Sequence, residues 1–121
     1  MEIENIKKLL SHGEDYNIEF KQCRDSVSHS VYETVCSFLN HSGGTIILGV
    51  NDDGTLDGVN LENVESMRKN IVNTLKNKEL FSPTPYITPE VETIDGKTII
   101  VLEVPSGDYA YSYKRKFSSV M

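Results

Sequence analysis

The order of helical and strand patterns along these 121 residues predicts an α+β domain, a mixed β-sheet with helices packed on it. Three observations carry that expectation. Thr45 to Val50 is a β-branched, apolar run, which suits a strand buried on both faces. Ile99, Ile100, Val101 and Leu102 form a second such run. Between them and before them, apolar residues recur at three and four, the spacing of amphipathic helices.

In chain order, Ile3, Ile6, Leu9 and Leu10 predict a first helix, stopped at Ser11-His12-Gly13. Tyr16, Ile18 and Phe20 alternate with Asn17, Glu19 and Lys21, the period of a half-buried strand. Arg24-Asp25-Ser26 reads as a loop, with Ser26 or Ser28 able to cap the next helix. Val31, Val35, Phe38 and Leu39 give that helix an apolar stripe. Asn40-His41-Ser42-Gly43-Gly44 ends it, because glycine reaches the φ > 0 conformations of a helix exit. After the first buried strand, Asn51-Asp52-Asp53-Gly54 predicts a tight turn. Asn60 is placed to cap a helix running to about Asn77, with Leu61, Val64, Met67, Ile71 and Leu75 on one face. Leu80 to Pro85 is a breaker-rich connection. Tyr86 to Thr93 and Lys97 to Val104 then predict two strands joined at Ile94-Asp95-Gly96. The tail alternates Tyr109, Tyr111 and Tyr113 with small residues and turns basic at Lys114-Arg115-Lys116.

The length fits a single domain, and 38% hydrophobic with 25% charged residues is ordinary for a soluble protein. No apolar run reaches membrane-spanning length, so no membrane association is expected. Glu2 and Glu4 precede any apolar run, unlike a signal peptide, and the two cysteines lack metal spacing. Cys36 lies near the apolar stripe of a helix and reads as a small core residue. A reduced, cytoplasmic setting is the expectation. The net charge of −6 works against nonspecific nucleic-acid binding, although a local basic patch can act on an acidic background.

Two motifs carry a resemblance. One is the run from Asn40 through Gly43-Gly44-Thr45 and Gly49-Val50 to Asp52-Asp53-Gly54 and Gly58. The other is Glu14 followed by Glu19-Phe20-Lys21. Together they resemble the Schlafen/Alba-type domain (AlbA_2, also named divergent AAA-4), over roughly residues 8 to 106. The resemblance implies a nucleic-acid-binding domain, for DNA or RNA, in a transcriptional regulator. It also implies that residues 1–121 are the N-terminal part of a longer chain. That family usually continues into a Gly-Ser-Ser/Thr segment, where this chain has Lys116-Phe117-Ser118-Ser119.

Some Schlafen-type proteins cleave RNA with two glutamates and an aspartate, and Glu14, Glu19 and Asp52 fall where these would sit. Three carboxylates at strand ends suit Mg²⁺ or Mn²⁺, which prefer hard oxygen ligands, and the ion would make this a metal-dependent endoribonuclease. The alternative is a structural ion pair at Glu19, with Asp52 and Asp53 as turn residues. Lys21, Arg24, Lys114, Arg115 and Lys116 are the candidate phosphate contacts, with the interleaved tyrosines suited to stacking on bases. A third reading is a protein-interaction module, including a homodimer. Gly43-Gly44 precedes a strand, and no Walker-type G-x-x-x-x-G-K-[ST] is present, so ATP binding is not expected. His12, His29 and His41 are scattered, without zinc spacing.

Overall fold

The computed structural model describes residues 1–114. Three helices, α1 (Ile3–His12), α2 (His29–Leu39) and α3 (Val64–Lys76), accompany six strands. These are β1 (Ile18–Lys21), β2 (Gly44–Leu48), β3 (Phe81–Ser82), β4 (Glu90–Ile94), β5 (Lys97–Val104) and β6 (Ser112–Tyr113). The main sheet has the order β1-β2-β5-β4, with β1 parallel to β2 and the other pairs antiparallel. The two continuous apolar runs are therefore the central strands, as their sequence predicts.

Each face of the sheet has its own core. Ile46, Leu48, Ile100 and Leu102 face α2 and α3, packing with Val35, Leu39, Met67, Ile71 and Leu75. Ile18, Phe20, Ile47, Ile99 and Val101 pack with Ile6 of α1 on the other side. Chain reversal between α2 and β2 depends on two glycines. Gly43 has φ +78°, and a Cβ there would lie 2.6 Å from the Val104 carbonyl oxygen. A Cβ on Gly44 would meet the Asn17 carbonyl and the Phe38 ring at 2.7 Å.

Several boundaries differ from the sequence expectation, each for a local reason. The first strand begins at Ile18, because Asp15 and Ile18 exchange backbone hydrogen bonds in a tight turn. That turn turns Tyr16 outward, where it is exposed. Helix α3 begins at Val64: the Asn60 side chain accepts the Glu62 N–H in a preceding turn, and Leu61 is exposed. Residues 86–89 stay outside the ladder. Pro89 stands just before β4 and has no N–H to donate.

Phe81, within the breaker-rich connection, is fully buried. Its two-residue strand β3 pairs with β6, so the aromatic tail folds back onto the domain. Cys36 is half-buried, its thiol 3.6 Å from the Tyr111 carbonyl oxygen, and burial pushes that thiol's pKa up.

The glycine geometry predicts an asymmetry in stability. Gly43→Ala meets both a left-handed backbone and a backbone oxygen, so it should cost about 1–3 kcal/mol in urea unfolding. Gly96→Ala has φ +78° but open space around its Cβ, and should fall at the low end of that range or below it. Equal costs at the two sites would contradict the close approach of Gly43 to β5.

Candidate nucleic-acid interface and acidic cluster

The outer edge of β1 is closed by its own neighbours. The Ile18 N–H and C=O pair with Asp15, and the Phe20 N–H donates to Glu14 Oε2 at 3.0 Å. Glu14 therefore caps an edge strand, covering an amide that would otherwise be open to pairing with another chain. The Glu14 carboxyl is also within hydrogen-bonding reach of Glu19. Burial, then the hydrogen bond and charge of Glu14, hold the Glu19 carboxyl above its ordinary pKa. Lys21, whose Nζ is 4.0 Å from Glu19 Oε2, opposes the shift, and the charge of Asp52 adds to it.

The turn after β2 separates its two aspartates. Asp53 Oδ1 accepts from both the backbone N–H and the hydroxyl of Thr55, which makes it a turn residue and holds its pKa low. Asp52 is exposed and makes no hydrogen bond or ion pair among the described residues. Two of the three predicted acidic residues thus meet, and Asp52 acts on Glu19 through its charge. Among the described residues, no group of three or more His, Cys, Asp or Glu side chains could hold a metal ion. The carboxylates as placed do not form an Mg²⁺ or Mn²⁺ site.

The predicted basic residues separate into two places. Lys21 Nζ lies 3.4 Å from Ser30 Oγ, at the N-terminus of α2. On the same helical turn, His29 Nδ1 is 3.1 Å from the Tyr113 hydroxyl, and Lys114 follows directly, its N–H bonded to the Leu80 carbonyl. Ser28 occupies the cap position, but its hydroxyl pairs with Ser30 Oγ at 2.9 Å and does not cap the helix. No acidic residue stands in the first turn of α2. The helix itself thus brings no anionic side chain to the positive end of its dipole. The sequence offered Ser28 only as a cap and did not connect His29 or Ser30 to the tail, because the His29–Tyr113 contact spans 84 positions.

Arg24 lies elsewhere. Its Nη2 donates to Asp57 Oδ1 at 2.6 Å, on the rim of a groove beside the β4–β5 turn. Arg115 and Lys116 lie outside the described residues. Of the tail tyrosines, Tyr111 exchanges hydrogen bonds with the Asn40 side chain, and the Tyr113 ring packs on Phe81 with centroids 4.9 Å apart. Tyr109 remains exposed and able to stack. No helix among the described residues is long and apolar enough to cross a membrane.

Comparison with known proteins gives consistent matches. The family model described as Schlafen, AlbA_2 matches residues 14–121. The fold is similar to the N-terminal domain of a protein from Nitrosomonas europaea described as related to the ATP-dependent DNA helicase RecG. There the TM-score is 0.65 at 24% identity, over 86% of this chain and 72% of that one. A protein from Corynebacterium diphtheriae is similar at TM-score 0.56 and 15% identity, covering 90% of this chain and 23% of that one. At these identities the likeness shows the fold.

The raised Glu19 pKa gives a pH prediction with a definite sign. The folded chain holds this proton more tightly than the unfolded chain, so stability falls as pH rises from 4.5 through the folded-state pKa. Glu19→Gln removes that loss. Its stability should match the parent at about pH 3 and exceed it at about pH 7 in urea unfolding. A variant less stable than the parent at neutral pH would instead assign Glu19 a structural ion pair with Lys21.

Proposed function

The chain belongs to the Schlafen AlbA_2 family, and on that premise we propose that it is a nucleic-acid-binding module of a transcriptional regulator. The observation that carries this reading is Lys21 beside Ser30 at the N-terminus of α2, where the Tyr113 hydroxyl reaches His29 and so holds the tail that carries Lys114 to the same helical turn. A phosphate there meets backbone N–H groups, the helix dipole, the hydroxyls of Ser28 and Ser30, and the Lys21 ammonium, with Lys114 next to Tyr113 in the tail. Exposed Tyr109 precedes this site in the chain and offers a face for an unpaired base. The similarity to a domain of a RecG-related protein supports the same class of partner. The patch is small against a net charge of −6, so binding should be modest and strongly weakened by salt.

The endoribonuclease reading keeps one supporting observation, the contact between the Glu14 and Glu19 carboxyls. Against it, Glu14 is engaged on the Phe20 N–H and Asp52 does not join the pair closely enough to share an ion. The binding module is therefore preferred.

The double variant Lys21→Gln with Lys114→Gln tests the interface by fluorescence anisotropy on a single-stranded oligonucleotide. The slope of log affinity against log salt should fall by up to about two, near one for each lost phosphate contact. An unchanged affinity and slope would remove the α2 N-terminus as the phosphate contact.

A further inference from the structure

The groove that takes Arg24 uses neither Lys21 nor Lys114. It is a cavity of about 250 Å³ between the 57–61 segment and the start of β5, with Arg24, Lys97 and Thr98 among its lining residues. Four features of this groove point to an oxyanion ligand.

Arg24 spends only one nitrogen on Asp57, which leaves the rest of its planar donor fork available. The Lys97 ammonium makes no hydrogen bond or ion pair among the described residues. Its stem lies across Gly58, where a Cβ would come within 3.2 Å of Lys97 Cδ, so the missing side chain at Gly58 gives the lysine its path along the groove. Thr98 is only 7% exposed, yet its hydroxyl has no hydrogen-bond partner among the described residues. Among the described residues, no side-chain N or O atom fully sealed from solvent lacks a partner, so this hydroxyl keeps some access to solvent, and Thr98 lines the groove. A buried hydroxyl without a protein partner is completed by a ligand or by water.

We infer that this groove binds a phosphate monoester, with the Arg24 fork and the Lys97 ammonium on its oxygens and the Thr98 hydroxyl donating a further bond. Two cations against the one Asp57 carboxylate favour an anion. A fork, a point charge and a hydroxyl together match a tetrahedral oxyanion. Leu61, exposed on the rim, gives the organic part of a nucleoside monophosphate an apolar contact. The site does not depend on the nucleic-acid reading, since its residues are different.

The test is an NMR titration of amide signals at constant ionic strength, with inorganic phosphate, adenosine monophosphate and adenosine as separate probes. The expected result is a saturable displacement of the Gly58, Gly96 and Lys97 signals by phosphate and by the monophosphate, but not by adenosine. Tighter binding of the monophosphate than of phosphate marks a nucleotide as the ligand; equal affinity marks the phosphate group alone, and both support the site. Lys97→Met, which keeps the stem, should weaken binding about tenfold or more, the usual effect of losing a charged hydrogen bond. Arg24→Lys keeps the Asp57 pair and should weaken it as well. Non-saturating shifts with phosphate, or full affinity in both variants, would overturn the proposal. Loss of oligonucleotide binding on changing Lys21 and Lys114 leaves these phosphate shifts intact, so the two sites fail separately.

Discussion

Gly43 and Gly44 are the point at which α2, β1, β2 and β5 meet. Without side chains, they let the Val104 carbonyl, the Asn17 carbonyl and the Phe38 ring approach to distances that any Cβ would forbid. The Gly43 N–H closes the end of α2 on the Phe38 carbonyl, and β2 then starts at once against β1 and β5. This compact exit sets how α2 lies over the sheet. With α2 placed, Lys21 at the end of β1 comes beside Ser30 at the helix start. The candidate interface is thus a consequence of packing around two glycines more than 10 residues away in the chain.

The central strands and the helix faces were legible because each has a single strong signal. A continuous apolar run has only the inside of a sheet to occupy, and β2 and β5 occupy it. What was illegible involved polar side chains bonding to backbone. The Asn60 side chain accepts the Glu62 N–H in a turn that delays α3, and the Asp15 side chain accepts the Tyr16 N–H in the turn before β1. The role of Phe81 depended on a partner strand about thirty residues later, which no local pattern displays.

The site shows the same division. The motif singles out Glu14, Glu19 and Asp52; the structure brings the two glutamates together and ties Asp53 into the turn through Thr55. The hydrogen bond from Phe20 to Glu14 was not legible, because it depends on which edge of β1 is left open by the sheet order. It gives Glu14 a structural role that any catalytic role would have to share. The basic residues looked like one set in sequence, yet Asp57 holds Arg24 at a different groove. The pairing with Asp57, not chain position, decides which groove Arg24 faces.

The central claim is that the N-terminus of α2 is the nucleic-acid contact. Its most direct measurement is the pattern of amide shifts as a short single-stranded oligonucleotide is added at low salt. The account predicts that Ser30, Val31, Lys21 and Lys114 move together and saturate together, while α1 and β4 stay still. Shifts concentrated on α1 or β4, with the start of α2 unmoved, would contradict it.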